Sequence, residues 1–270
     1  MPELPEVETT RRGVTPHVVG RRVEQVNIYD RRLRWPVPDD YETTLGGRVI
    51  AAIERRAKYL LWHDGAGVSI VHLGMSGSLR VIDPKIPKRP HDHVEWILDN
   101  GLAVRLHDPR RFGCVLWTAD VEGHALLNSL GPEPLGNEFH AEWLHQRSRG
   151  RKQAVKTFIM DAKQVVGVGN IYASEALYRA GIHPGRAAGR VSLRRYEALV
   201  TAIRTVLTEA IESGGTTLRD FLRDSGEPGY FKQSLNVYGR HDEPCKHCGK
   251  PIRIRQIGQR SSFFCTSCQR

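Results

Sequence analysis

Cys245-Lys246-His247-Cys248 and Cys265-Thr266-Ser267-Cys268, with sixteen residues between them, decide how the end of this chain folds. Two Cys-x2-Cys pairs at this separation match a structural zinc site. Each pair forms a knuckle that puts two thiolates on one side of a metal. The intervening segment returns as a hairpin that joins the knuckles, and Gly249 and Pro251 suit the turn after the first. Four thiolates close the tetrahedron and leave no position for water, so one structural Zn2+ per chain is expected. Two disulfides are the alternative, and they need an oxidising compartment. The start Met1-Pro2-Glu3-Leu4-Pro5-Glu6 has no basic segment or apolar run, so no signal peptide is expected and the protein reads as cytoplasmic.

Within the hairpin, Ile252 and Ile254 alternate with Arg253 and Arg255, as in a half-buried strand. Residues 240–270 carry seven Lys or Arg against two Asp or Glu. Zinc held by four thiolates removes only part of that excess. The whole chain of 270 residues has a formal charge of +10. A polyanionic partner follows, with a merely solvated basic surface or an anionic membrane as alternatives. No stretch approaches the roughly 18 apolar residues of a membrane span. No basic amphipathic helix stands out, so nucleic acid leads. At 40% hydrophobic and 26% charged residues the chain is an ordinary globular protein of one or two domains.

Upstream of the cysteines the pattern is helical. Leu193, Tyr196, Val200, Ile203, Leu207 and Ile211 recur at three- and four-residue steps, as in an amphipathic helix. Shorter helices are expected over 139–146, 153–161 and 171–180. Val165-Val-Gly-Val-Gly-Asn170 is too rich in glycine to be helical and reads as a turn delivering backbone N–H groups at a helix start. A purely structural turn is the alternative. Gly131-Pro-Glu-Pro-Leu-Gly136 reads as a linker. Before it, short apolar strands are expected at 22–29, 49–53, 59–62, 68–73, 78–82, 94–98 and 102–106, with Arg55-Arg56-Ala57-Lys58 as a basic turn. Asp99-Asn100-Gly101 marks a hairpin, and the spacing suggests a sandwich or barrel. Cys114, in an apolar run, reads as a core residue. A short helix over 3–12, with Pro5 in its first turn and Gly13 as its stop, precedes the strands.

Pro2 is also a candidate reagent. A small second residue permits removal of Met1, which exposes a secondary amine. An α-amino group titrates near 7.7–8.0 against about 10.4 for lysine, so a useful fraction is unprotonated at neutral pH. Such an amine attacking an aldehyde-type carbon gives an iminium, an electron sink for elimination. Glu3 and Glu6 are placed to serve as acid, base or charge stabiliser. The same residues are also ordinary choices for opening a helix.

Taken together, Pro2-Glu3-Leu4-Pro5-Glu6-Val7-Glu8, Asp108-Pro-Arg-Arg-Phe-Gly113, Gly167-Val-Gly-Asn-Ile-Tyr-Ala-Ser-Glu175 and the four-cysteine finger resemble the bacterial formamidopyrimidine-DNA glycosylases, also called 8-oxoguanine DNA glycosylase/AP lyases. The resemblance spans essentially the whole chain. The sister family, endonuclease VIII, shares Pro2-Glu3, the helix–two-turn–helix and the finger, and acts mainly on oxidised pyrimidines. Leu4 and Val7-Glu-Thr-Thr-Arg-Arg-Gly13 look like the formamidopyrimidine branch.

The resemblance implies an α+β protein, monomeric and nucleoid-associated. Its β-sandwich domain with an N-terminal helix would cover 1–130, followed by a linker at 131–136. A helical helix–two-turn–helix domain would cover 137–235 and a zinc finger 236–270, with duplex DNA between the halves. It implies a bifunctional base-excision enzyme that removes oxidised purines from DNA and also cuts at abasic sites. Pro2 would attack C1′, with Glu3 as acid/base partner, Lys58 as proton donor in β-elimination, and Arg260 on the phosphate and in δ-elimination. His91, Arg110, Arg151 and Asn170 match DNA contacts. Met75, Arg110 and Phe112 match the residues that fill the gap left by the extruded nucleotide. Extrusion costs a few kcal/mol, which wedging side chains offset. Without the resemblance, Met75 reads as core filling, Arg110 as an exposed turn, Phe112 as the start of a strand and Lys58 as solvated. Thr216–Phe231 resembles a mobile loop over the extruded base. A non-catalytic DNA-binding protein of the same fold is the remaining alternative.

Overall fold

The computed structural model describes residues 2–214 and 235–270. They form two compact units, 2–128 with 211–214, and 129–210 with 235–270. The loop expected at 216–231 lies outside the described residues.

The first unit opens with α1, Leu4–Val18, which is longer than expected and runs through both Gly13 and Pro16. The stop signals lose because Val14 and Val18 extend the buried stripe begun by Leu4 and Val7. Burying each valine gains about 1.5–3 kcal/mol, against about 1 kcal/mol for a glycine inside a helix. Pro16 falls in the last turn, so its missing N–H costs one backbone bond and no later turn is left to kink.

β1 (Val23–Ile28), β6 (Asp92–Leu98), β7 (Ala103–His107) and β5 (Ser78–Ile82) make one four-stranded sheet in the order β1-β6-β7-β5. β2 (Ala52–Arg56), β3 (Tyr59–His63), β4 (Val68–His72) and β8 (Cys114–Thr118) make the other, in that order. All pairs are antiparallel. Alternate residues of both sheets share one core, in which Trp62 of one sheet meets Trp96 of the other at 5.0 Å between ring centroids. The expected sandwich is therefore present, and Gly101 turns the β6–β7 hairpin with φ of 76°. Cys114 is buried, and burial pushes its thiol up to about 12, which leaves it inert.

Two local expectations change. The strand expected at 49–53 is shifted, because Arg55 and Arg56 pair with Leu60 and Tyr59. The basic turn therefore shrinks to Ala57-Lys58. A short helix, α2 (Tyr41–Leu45), had no sequence signal of its own; it is held because Tyr41 buries its ring and hydrogen-bonds Ser69 and Trp96.

The second unit contains α3 (Ala141–Ser148), α4 (Val155–Ile159), α5 (Asn170–Arg179) and, as far as Ala210, α6 (Leu193–Gly214), whose apolar faces form a separate core. The stripe expected on α6 is buried from Tyr196 to Ile211, with Leu193 half-buried at its start. The expected linker is docked on this unit: Gly131 N–H donates to Ala162 O at 2.8 Å, and Val166 N–H to Pro132 O at 3.1 Å. β9 (Arg253–Ile257) and β10 (Arg260–Phe264) form the finger hairpin.

Candidate functional site

In the first unit the helix start and the basic turn are connected through charges. Glu3 is buried at the head of α1, and its backbone N–H donates to Glu6 Oε2 at 2.8 Å. Pro2 precedes it, half-buried. One and a half turns on, buried Glu8 receives Arg11, Arg12 and, from β2, Arg55. Burial opposes ionisation of Glu8, but the arginines outweigh it and hold the carboxyl below the usual range. Arg55 also donates to Ala57 O at 2.9 Å. It thereby fixes the turn that carries Lys58 relative to α1. Ala57 holds φ of 55°, a left-handed conformation costly for a residue with a side chain.

Beside Lys58 lies His72, with its ring 4.9 Å from Tyr59. Its Nδ1 accepts the Gly74 N–H at 2.9 Å. Burial first, then the charges of Lys58 and Arg34, lower its pKa to about 4. The unfolded chain takes up a proton near pH 6.5 that the folded chain refuses until about 4. Stability is thus full above 6.5 and falls as pH drops through that window, by about 3 kcal/mol. His72→Gln keeps an acceptor for Gly74 and is expected to flatten this part of the urea-unfolding profile. Unchanged pH dependence in the variant would exclude His72 as its source.

Met75 and the pair Arg110 and Phe112 sit on two loops that interlock. Buried Asp108 receives the Ser76 hydroxyl at 3.1 Å on Oδ1 and the Gly113 N–H at 2.8 Å on Oδ2. Arg110 N–H donates to Ser76 Oγ at 3.3 Å. Gly74 has φ of 64°, and a side chain there would lie 2.5 Å from Gly113 N. The Arg110 guanidinium stacks on the exposed Phe112 ring at 4.8 Å. Met75 is half-buried at the neighbouring tip. His91 is exposed with φ of 70°, and its carbonyl accepts the Asp108 N–H at 2.9 Å. The loop before it is pinned from beneath. Arg105 donates to Ile86 O and Pro87 O, and Arg89 N–H donates to Asp92.

In the second unit, buried Lys156 on α4 holds the expected Asn170 and the strand beside the expected Arg260. Its Nζ donates to Asn170 Oδ1 at 2.6 Å, Ser262 Oγ at 2.8 Å and Ser261 O at 3.1 Å. Asn170 therefore opens α5 with its amide oxygen held, which turns its Nδ2 donors away from the lysine. Arg260, exposed, stands next to Ser261. It follows a two-residue turn in which Gly258 and Gln259 both have positive φ, at 55° and 58°. Gly258 rests on α4, where an added side chain would meet Thr157 Cγ2 at 2.3 Å. Arg151 stands apart, exposed after α3, and its Nε donates to Arg147 O at 3.0 Å.

The four cysteines converge, with their sulfurs all within 4.8 Å of one another. Cys248 and Cys265 are 3.4 Å apart, and Cys245 and Cys268 3.9 Å. Zn–S bonds of about 2.3 Å give a tetrahedron edge of about 3.8 Å, so the set fits one zinc ion. The five cysteines are free thiols, which removes the disulfide alternative. Burial raises the Cys245 thiol, but the Tyr178 hydroxyl and the Cys248 and His247 N–H groups outweigh it and bring it to about 6.

Residues 1–115 match the model of the formamidopyrimidine-DNA glycosylase N-terminal domain, 130–222 that of the H2TH domain of the same enzymes, and 242–270 a zinc finger found in FPG and IleRS. The chain belongs to the formamidopyrimidine-DNA glycosylase family. It is 62% identical to the formamidopyrimidine-DNA glycosylase of Syntrophotalea carbinolica, with all of both chains covered. Its fold matches Lactococcus lactis Fpg in complex with Fapy-dG containing DNA, with a TM-score of 0.89, 29% identity, and 99% and 100% of the two chains covered. A complex of the same enzyme with abasic-site DNA matches with a TM-score of 0.90, 29% identity and 99% of each chain. In this glycosylase family member, the zinc is structural: it closes the finger and leaves no coordination position for substrate.

Sequence reading quoted Asp108 and Arg55 within motifs without giving either a role, and it missed His72 and Lys156. Asp108-Pro109 is a turn signal that could have drawn attention to Asp108. Lys156, between Val155 and Phe158-Ile159, carried only the weak signal of a cation in an apolar helix.

Proposed function

We propose that this chain is a bifunctional DNA glycosylase and AP lyase that excises oxidised purines, 8-oxoguanine and formamidopyrimidines, from duplex DNA. The observation that carries the reading is Pro2-Glu3 at the head of α1, with buried Glu3 beside the proline and the Lys58 turn tied to the same helix through Glu8 and Arg55. With Met1 removed, the Pro2 nitrogen attacks C1′ of the damaged nucleotide. The bond to the base breaks, its electrons leave with the base, and loss of the amine proton and ring opening give an iminium. Glu3 moves protons at this step. The iminium acidifies the neighbouring C2′, whose proton loss expels the 3′ phosphate, with Lys58 as proton donor in this β-elimination. A second elimination, assisted by Arg260, expels the 5′ phosphate.

Each unit supplies groups to DNA. His91, Arg110 and, on the other unit, Arg151 and Asn170 contact the DNA, and Arg260 grips a phosphate, with the basic groups supplying charge-driven affinity. Met75, Arg110 and Phe112 enter the space of the extruded nucleotide and offset the lost stacking. The Lactococcus lactis complexes with Fapy-dG and abasic-site DNA support this substrate class. The enzyme acts as a monomer in the cytoplasm, on the nucleoid.

The test combines chemistry with substrate choice. Borohydride reduces an iminium to a stable amine, so it should trap the protein covalently on duplex carrying 8-oxoguanine opposite cytosine. Thymine glycol duplex should trap at least about tenfold less, a margin of about 1.4 kcal/mol. Equal or better trapping on thymine glycol would assign the chain to pyrimidine lesions. No adduct on either duplex would remove the iminium route.

A further inference from the structure

One cysteine sulfur of the finger has a side-chain hydroxyl from outside the finger beside it. Tyr178 lies near the end of α5, half-buried, with its ring packed on the small finger core of Val237, Cys245, Ile252 and Cys265. Its hydroxyl oxygen is 3.2 Å from Cys245 Sγ. A metal-bound thiolate has no proton to give, so the phenol is the donor. A second side chain near a finger sulfur, His247 Nδ1 at 3.6 Å from Cys268 Sγ, belongs to the finger itself. We propose that Tyr178 is a positioning residue of the zinc centre, whose hydroxyl draws electron density from the Cys245 thiolate and joins the metal site to α5.

Two consequences follow from the placement. Asn170 opens the same helix, eight residues and about 12 Å earlier at 1.5 Å per residue. The finger is thus fastened to this part of the fold at two points, Cys245 on Tyr178 and Ser261-Ser262 on Lys156. The rotation of the hairpin that carries Arg260 is therefore set by one helix at the metal and by Lys156 at the strand. A hydrogen-bonded thiolate is also a poorer nucleophile and a less easily protonated ligand, so the bond slows metal loss.

Tyr178→Phe keeps the ring and its packing and removes only the O–H. In the full chain loaded with cobalt(II), the variant is expected to move the thiolate-to-cobalt charge-transfer band to lower energy. In the zinc-loaded chain, transfer of metal to a chromophoric chelator is expected to be on the order of tenfold faster. Thermal unfolding with zinc in excess reports whether the variant folds. A folded variant with an unchanged cobalt band overturns the proposal, whether or not metal leaves faster, because packing alone would then account for Tyr178. An unchanged release rate with a shifted band removes the kinetic part. None of these readouts depends on the glycosylase reaction, so failure here is distinguishable from failure of the proposed chemistry.

Discussion

Acylating the Pro2 nitrogen, or keeping Met1 in front of it, is expected to eliminate the borohydride adduct and to slow strand cleavage by a factor of about 1000 or more. Removing the nucleophile of a covalent mechanism leaves only what binding and positioning contribute, and losses of this size are typical. Affinity for duplex with an abasic-site analogue should change little, because the proposed phosphate contacts lie elsewhere on the chain. Intact mass reports the state of the terminus, and single-turnover gel assays report cleavage. With the terminus free, the rate should rise with pH and level off near the α-amino range of about 7.7–8.0. Undiminished excision and nicking by the blocked enzyme would transfer the chemistry to another group. A loss of binding as large as the loss of cleavage would make Pro2 a structural residue.

Removing zinc, by Cys245→Ser or by a strong chelator, is expected to weaken binding to damaged duplex by about 100-fold or more. The reason is the size of the finger core. Its buried residues are Val237, Ile252, Cys245 and Cys265, with Phe263 and Tyr178 at the edge. So few side chains cannot hold some 30 residues together, and metal binding then supplies the folding free energy. As the hairpin loosens, Arg260 loses its fixed position. Ser261 and Ser262 also leave the Lys156 ammonium, which remains buried beside Asn170 with fewer partners. Removing two hydrogen-bond acceptors from a buried cation is costly, so Asn170 shifts as well. Metal analysis and fluorescence anisotropy on labelled duplex measure both halves. Wild-type affinity in a zinc-free chain would show that the finger is dispensable.

The contrast between legible and illegible parts follows the range of the interactions. The stripe on α6, the Asp99-Asn100-Gly101 hairpin and the two cysteine knuckles are local periodicities or spacings, and each is found where expected. The end of α1 was misjudged because Gly13 is a local stop signal, while Val14 and Val18 are rewarded by strands far along the chain. The position of β2 was misjudged for a related reason. Arg55 and Arg56 look like turn residues until their strand partners and Glu8 are known. Arg80, Glu95 and Arg105, charged residues on which sequence reading placed no role, are all buried and pair with one another or with Asp92. The loop before His91 adds partners for Arg105 and Asp92 that the sequence does not signal. Lys156 is the same case in the helical unit. Four expected residues, the cysteines, are united by spacing alone, whereas Asn170 is joined to the strand next to Arg260 by a lysine that no motif indicates.

Because Gly74 and Gly113 touch backbone to backbone, the Met75 loop and the Arg110–Phe112 loop behave as a single cassette. Laboratory evolution aimed at altered lesion or opposite-strand preference therefore has freedom at the three tips and almost none at their roots. Grafting one loop from a homologue without its mate would wedge the two apart, so chimaeras should be cut outside 72–113.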